Sequence, residues 1–213
     1  VMIGEVWICS GQSNMEWNMN GTVDGKEEVP HANFPGIRLF HAKKIATTHP
    51  QVHMEGEWKV TTPEDAQWFS AVAYFFGKKL HQQLNVPIGL IHASWGGTPA
   101  EVWTPDSLVM ANPALRAIAA KQRIDSRWPY QPGVVYNAMI HPILSYGIAG
   151  AIWYQGEGNT AAPLTYKELM EQMIFGWRKG FQRDFPFYYV QIAPFSGYGN
   201  IETGTLIREQ QVK

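Results

Sequence analysis

Residues 3–17 read I-G-E-V-W-I-C-S-G-Q-S-N-M-E-W, and this stretch decides the fold. Apolar residues dominate positions 3–9, and a glycine with polar neighbours follows at once. A short apolar run that ends in a turn signal is typical of a strand buried in a parallel sheet. The polar residues after it are either an ordinary turn or a site that presents a serine at the end of a strand.

The same succession recurs along the chain. Apolar segments predict further strands at 37–40, 87–94, 148–154 and 187–193, with a weaker strand signal at 58–60. Helical periodicity and capping signals predict helices at 71–84, 106–121 and 165–179, and a last one beginning near Ile201. Ser70 is the expected N-cap of the first, and Thr165 with Glu168 forms a capping-box pattern for the third. Such alternation predicts one α/β domain over residues 1–213, with a parallel sheet covered on both faces.

Composition excludes several classes of function. The chain of 213 residues is 45% hydrophobic and has a net charge of −1, so we expect a globular core and neither nucleic acid nor an anionic membrane as partner. It has no apolar run of about 18 residues that would span a bilayer. The single cysteine, Cys9, forms no intrachain disulfide. Neither a zinc motif nor the glycine spacing of a phosphate or dinucleotide loop occurs, so we expect no metal and no cofactor.

Three predicted strands each end in a small polar loop: S-G-Q-S-N at 10–14, W-G-G-T-P at 95–99 and Q-G-E-G-N at 155–159. Ligands of open parallel sheets bind outside the carboxyl ends of the strands. Glycine lets backbone N–H groups approach a ligand closely, and the loops also carry hydroxyl and amide groups. Acyl transfer requires this kind of set: a nucleophile, a base and donors for an oxyanion.

Ser13 is the candidate nucleophile, because it lies at an exposed turn position. Its own N–H and that of Gly97, next to Gly96, are candidate oxyanion donors. Gln155 or Asn159 adds a side-chain amide.

Other nucleophiles remain open. Ser10 and Ser94 are alternatives, although we expect the Ser10 side chain to bond to the loop backbone. Cys9 lies in an apolar run that predicts burial.

The blocks at 4–17, 88–103 and 152–159 resemble the sialate O-acetylesterases, a family of the SGNH or GDSL-like hydrolases. The stretches N-A-M-I-H-P (137–142) and L-I-R-E-Q-Q (206–211) are also similar. The resemblance implies a three-layer α/β/α sandwich and a serine esterase, located outside the cytoplasm, that removes acetyl groups from sugars, O-acetylated sialic acids first among them. It implies Ser13 as nucleophile and Gly97 as backbone donor. Gln155 is the preferred side-chain donor, because it follows its strand most directly, with Asn159 as the alternative.

One element of the family is missing. Its members carry an Asp-x-x-His element near the C-terminus that supplies the base, and no D-x-x-H occurs here. We therefore expect a fragment that lacks an upstream region and the acid–base loop. His92 lies on a predicted strand and His141 follows an apolar run, so a structural role is expected for both. The other five histidines are interpreted as surface residues.

Two further functions stay open: an acetylxylan or other plant-polysaccharide acetylesterase, and a sugar-binding domain that is catalytically incomplete.

Supporting roles follow for residues around these motifs. Gln12 and Asn14 flank the nucleophile and are expected to brace its turn. A carboxylate beside an oxyanion is repulsive, so Glu157 is expected to bond inward to backbone or to an arginine. Arg208 matches a near-terminal arginine of the family, and a surface ion pair is its simplest interpretation.

Tryptophans flank the same edge in the sequence. Trp17, Trp95, Trp103 and Trp128 adjoin the polar loops, and Trp95 and Trp128 are the candidates for stacking on a sugar.

Overall fold

The computed structural model describes residues 2–122, 127–195, 197 and 201–213. Its centre is one six-stranded sheet with the order β3-β2-β4-β1-β5-β6, in which only β3 runs antiparallel to its neighbour. The strands are β1 Glu5–Gly11, β2 Phe34–His41, β3 Trp58–Thr61, β4 Ile88–Ser94, β5 Gly150–Tyr154 and β6 Phe187–Val190.

The register of the three central strands aligns their carboxyl ends. Gly11, the last residue of β1, pairs with Ser94 at the end of β4 and with Tyr154 at the end of β5. The three polar loops therefore leave the sheet at one level and side by side.

Helices cover both faces of the sheet, as the sequence predicts, and complete a three-layer α/β/α sandwich. They are α1 Ser13–Glu16, α2 Gly25–Glu28, α3 Pro63–Ala66, α4 Ala71–Leu84, α5 Asp106–Ala111, α6 Pro113–Ala119, α7 Tyr166–Phe181 and α8 Ile201–Val212. None of the helices in the described ranges has the length and apolar character needed to cross a membrane.

Alternation along the strands divides the core into two layers. Trp7 and Cys9 of β1 point toward the layer beneath α4, whereas Ile8 between them points toward the layer beneath α7. The second layer also contains Trp103, which is fully buried and meets the ring of Trp153 edge to face. Trp103 is thus a core residue, and its indole nitrogen donates to the Thr98 hydroxyl (2.9 Å), so it adjoins the second polar loop from the core side.

Helix α4 begins at its predicted cap, and three residues of its predicted inner face, Val72, Phe76 and Leu80, pack half-buried against the core. The Ser70 hydroxyl accepts a hydrogen bond from Ala73 N (3.2 Å), whereas Leu84, placed by its spacing on the inner face, is 47% exposed. Small residues make the close contact with the sheet: a Cβ on Gly77 would lie 2.6 Å from Leu90 of β4. Ala73, Tyr74 and Gly77 are the residues most deeply buried along this contact, so the centre of the buried face is shifted from the one that the spacing predicts.

The predicted capping box at the start of α7 is wrong. The Thr165 hydroxyl donates to Ala162 O (3.1 Å) and accepts no bond from the helix. The Glu168 carboxylate instead accepts a hydrogen bond from the Asn112 amide, and Asn112 Oδ1 caps α6 by accepting from Ala114 N and Leu115 N. Glu168 therefore bonds to a residue that is distant in sequence rather than to the start of its own helix.

Candidate active site

Ser13 is the first residue of α1 and is exposed directly beyond the end of β1. The carbonyl of Gln12 accepts bonds from Met15 N (2.9 Å) and Glu16 N (3.2 Å), and these bonds turn the chain sharply. Gln12 N donates to Tyr154 O (3.0 Å) and anchors the turn to β5. The sequence thus places a serine hydroxyl at the open edge of the sheet.

The Gly96-Gly97 turn lies against Ser13. A Cβ on Gly96 would lie 3.3 Å from Ser13 Cβ, so the two loops are in contact. Gly97 has φ +80°, a conformation that side chains disfavour, and a Cβ there would lie 2.7 Å from the indole nitrogen of Trp128. Neither the Ser13 nor the Gly97 N–H finds an acceptor within the described part of the chain, so both are available as donors.

Asn159 supplies a side-chain amide whose orientation is set by its partners. Its Oδ1 accepts from Ala100 N (2.9 Å) and from Gln155 Nε2 (2.8 Å). Its Nδ2 donates one hydrogen to Glu101 Oε2 (2.8 Å), and the described residues provide no acceptor for the other. Asn159 therefore has one N–H left to donate.

Gln155 has no such hydrogen left. Its Nε2 donates to Thr98 O (3.2 Å) and to Asn159 Oδ1, and its Oε1 accepts from the Tyr166 hydroxyl (2.8 Å). The side chain is fully buried. The geometry favours Asn159 over Gln155 as oxyanion donor, because both amide hydrogens of Gln155 already have acceptors. The sequence had led us to prefer Gln155.

Bonds also tie the first polar loop to the third. Gln12 Oε1 accepts from Gly158 N (2.9 Å), and Asn14 Nδ2 donates to Glu157 Oε1 (2.5 Å). Gln12 and Asn14 brace across the site rather than only within their own turn. The described bond of Glu157 goes to an amide side chain, where the sequence led us to expect backbone or an arginine.

Helix α8 is hydrogen-bonded to the segments that carry the site. Arg208 Nη1 donates to Ile192 O (2.8 Å), so the bond that the structure describes for this guanidinium is to a backbone carbonyl and not to a carboxylate. Gln211 accepts from Ile192 N (3.0 Å) and donates to Gln155 O (2.9 Å). Together they tie the last helix to the segment after β6 and to the third polar loop.

The alternative nucleophiles are all buried. Ser10 is inaccessible, and its hydroxyl has no hydrogen-bond partner among the described residues, so the expected bond to the loop backbone is absent there. Cys9 lies in the core, where burial raises the pKa of its thiol well above the usual range. Ser94 is buried and hydrogen-bonds to the His92 ring.

The interior histidines have structural contacts. His92 Nε2 lies 2.6 Å from the Ser94 hydroxyl, and burial lowers the pKa of His92 to about 3. His141 Nδ1 lies 2.8 Å from Gln51 O. No hydrogen bond made by the described residues joins a histidine to the Ser13 hydroxyl.

Sequence reasoning missed three residues of this site: Glu101, Tyr166 and Gln211. Glu101 is 2% exposed, and burial raises the pKa of its carboxyl despite the bond from Asn159. A lone acidic residue within P-A-E-V-W (99–103), directly after a polar loop, was the available signal. Tyr166 and Gln211 lie on helices, where nothing in the local pattern distinguishes a contact with the site from ordinary packing.

Two tryptophans were expected to contact a sugar. Trp95 is half-buried, packs against the larger core cluster and donates its backbone N–H to Gly11 O (3.0 Å). Trp128 lines an open cavity. Over the described ranges, no group of three or more histidine, cysteine, aspartate or glutamate side chains is arranged to hold a metal ion.

Comparisons with known proteins give the family of this chain. The profile of the family described as carbohydrate esterase, sialic acid-specific acetylesterase, matches residues 3–213. The Homo sapiens sialate O-acetylesterase is 32% identical over 91% of this chain, and the chain spans about 40% of that relative's length. The crystal structure of a carbohydrate acetylesterase from Xanthomonas citri superposes with a TM-score of 0.86 at 36% identity, over 98% of this chain and 46% of that one. An Arabidopsis thaliana protein with 18% identity (TM-score 0.57; 98% of this chain, 80% of that one) shares the fold. The chain therefore belongs to the sialic acid-specific acetylesterase family of carbohydrate esterases.

Proposed function

We propose that this chain is the catalytic domain of a serine esterase that removes O-acetyl groups from carbohydrates. One observation carries the proposal. An exposed Ser13 hydroxyl lies against a turn that offers the free N–H of Gly97, and a third loop offers an oriented amide from Asn159. These are the nucleophile and the donors that acyl transfer requires.

The chemistry follows from that arrangement. Ser13 Oγ attacks the acetyl carbonyl carbon and passes its proton to a general base. The N–H groups of Ser13 and Gly97 and the free Nδ2–H of Asn159 stabilise the resulting oxyanion. The C–O bond to the sugar then breaks, the sugar oxygen takes the proton from the base, and water releases acetate from the acetyl-serine by the same two steps.

The general base comes from outside these 213 residues, in our proposal. All seven histidines are described, and none of their hydrogen bonds reaches Ser13. His92 is held neutral in the core, beside Ser94. An Asp-x-x-His element, which the family resemblance implies, would supply the missing function from another part of the protein.

Family membership and the Xanthomonas citri carbohydrate acetylesterase support an acetylated sugar as substrate. We propose O-acetylated sialic acids as the preferred substrates and a location outside the cytoplasm. Release of acetate from O-acetylated sialic acid, compared with release from acetylated xylan, tests the first point: faster release from xylan would assign the protein to plant-polysaccharide deacetylation.

The test of catalysis uses the full-length protein, which includes any base beyond this chain. A serine-directed fluorophosphonate should label Ser13, and Ser13→Ala should abolish both labelling and acetate release. Ser10→Ala is the matched control, because that hydroxyl is buried nearby without a described partner, and both signals should persist. If the full-length protein binds acetylated sugar but is neither labelled nor active, it is a sugar-binding domain, and the proposal is wrong.

A further inference from the structure

An open cavity of about 460 Å³ is lined in part by Trp128, whose indole lies against Gly97 of the proposed oxyanion site. Two segments line it: the stretch after β2, including Thr47 and Thr48, and the aromatic loop with Trp128, Tyr130 and Gln131. Small-molecule sites in proteins occupy roughly 300–1,000 Å³, so this volume suits a single sugar ring. The catalytic chemistry described above uses none of these side chains.

One lining residue of the cavity, Trp128, is in contact with the glycine turn beside Ser13. The Trp128 indole nitrogen would be 2.7 Å from a Cβ on Gly97, and a Cβ on the adjoining Gly96 would be 3.3 Å from Ser13 Cβ. Ser13, the glycine turn and the Trp128 ring are therefore successive neighbours. A group attached to an ester at Ser13 can extend past Gly97 directly onto the indole.

The walls of the cavity are fixed to the rest of the fold. Thr47 N donates to Val134 O (2.9 Å), and Asn137 Nδ2 donates to Thr47 O (3.3 Å), which joins the two lining segments. Gly133 N donates to Glu101 O (3.0 Å), so the aromatic loop is held by the residue whose carboxylate orients Asn159. The Arg127 guanidinium lies 4.6 Å from the Trp128 ring centroid and supports the indole. These bonds keep the cavity preformed beside the donors.

Its lining combines an aromatic surface with small polar groups. An indole face and a phenol ring offer flat apolar area, whereas two threonine hydroxyls and one carboxamide offer hydrogen bonds. A pyranose ring has both complementary features: an apolar face of C–H groups, and hydroxyl groups around its edge.

We propose that this cavity binds the pyranose ring that carries the acetyl ester, with Trp128 stacking on the ring. The proposal rests on the proposed esterase function and names where the sugar lies. It assigns Trp128 and Tyr130 to substrate specificity rather than to bond making and breaking.

The experiment compares two esters in the full-length protein: O-acetylated sialic acid, which has a sugar ring, and p-nitrophenyl acetate, which has none. Trp128→Ala should reduce kcat/KM for the sugar ester roughly tenfold or more, and by at least fivefold more than for p-nitrophenyl acetate. Trp128→Phe, which retains a flat ring, should recover part of that difference. Trp68→Ala is the matched control, since Trp68 is an exposed tryptophan that lines a different pocket, and it should change neither rate.

Equal losses on both esters, or no loss on either, would overturn the sugar site while leaving the esterase intact. Absence of turnover on both esters in the unmodified protein would instead refute the proposed function. Binding of the deacetylated sugar to the Ser13→Ala variant, measured by calorimetry, gives a second readout independent of catalysis. There Trp128→Ala should weaken binding about tenfold, and undiminished affinity would contradict the proposal.

Discussion

Glu101 Oε2 lies 2.8 Å from Asn159 Nδ2 in a buried setting beside the polar edge of the sheet. The Asn159 oxygen already accepts from Ala100 N and Gln155 Nε2, so the amide is held in one orientation from both ends. In the proposed mechanism Glu101 is therefore a positioning residue, which directs the remaining N–H of Asn159 without touching the substrate. Removing one such preorganised donor from an oxyanion hole costs about 3–4 kcal/mol of transition-state stabilisation.

The first prediction concerns this pair. Asn159→Ala should lower kcat by roughly 10²–10³-fold with little change in KM, because the lost bond forms only in the transition state. Glu101→Ala should lower kcat by roughly 10–100-fold through misorientation, and Glu101→Gln, which keeps an acceptor oxygen, should restore most of it.

A double-mutant cycle distinguishes positioning from general destabilisation. In the Asn159→Ala background, Glu101→Ala should have almost no further effect on kcat, because its partner is already gone. Independent, multiplying losses would show that Glu101 acts by another route.

The second prediction concerns His92 and pH. Burial lowers the pKa of His92 to about 3 in the folded protein, against about 6.5 in an unfolded chain. Between these values the unfolded state binds a proton that the native state does not, so the free energy of unfolding falls as pH falls. The full loss is on the order of 3–5 kcal/mol and is complete only near the lower value.

Urea unfolding at several pH values between about 4.5 and 7.5 measures this effect, within the window set by the two pKa values. His92→Gln keeps a polar partner for Ser94 but does not titrate. It should therefore reduce the slope of the free energy of unfolding against pH by the contribution of about one proton. Gln83→Ala, at an exposed residue that does not titrate, should leave the decline as it is. An unchanged slope in His92→Gln would show that another group controls acid stability.

The third prediction concerns the glycine turn. Gly97→Ala introduces a Cβ at φ +80° and 2.7 Å from the Trp128 indole, so it strains the backbone that carries the proposed oxyanion donor. We expect kcat to fall at least about tenfold, with destabilisation of about 1–3 kcal/mol. Combining it with Trp128→Ala removes the contact but not the strain, so stability should recover only in part.

Gly147→Ala is the matched control, because a Cβ there would meet nothing within 4 Å. It should change neither kcat nor the melting temperature by much. Full activity in Gly97→Ala would argue against a role for that N–H in catalysis.

The fourth prediction separates two candidate helix caps. Asn112→Ala removes a side chain that accepts from two backbone N–H groups of α6, so it should destabilise the protein by about 1 kcal/mol or more. Thr165→Ala removes no cap, and its cost should be below about 0.5 kcal/mol. Chemical denaturation measures the free energy of unfolding of both variants. A larger loss in Thr165→Ala than in Asn112→Ala would show that Thr165 caps α7 after all.

The pattern of apolar segments and polar turns predicted the sheet, its helices and the three loops at one edge. These features can be predicted from neighbouring residues, because strands buried on both faces are continuously apolar and tight turns favour glycine. The choice between Gln155 and Asn159 did not follow. Both are amides in one loop, and only their partners in other segments show which of them has a hydrogen left to donate.

The order of residues along the chain thus determined which groups arrive at the edge of the sheet and that Ser13 stands exposed among them. The tertiary structure decided how those groups are oriented: through a carboxylate that precedes Asn159 by many residues, through a tryptophan packed on Gly97, and through a terminal helix bonded to Gln155. The physical reason is that periodicity and turn propensity act over a few neighbouring residues. Hydrogen-bond direction, by contrast, depends on atoms that only the folded chain brings together.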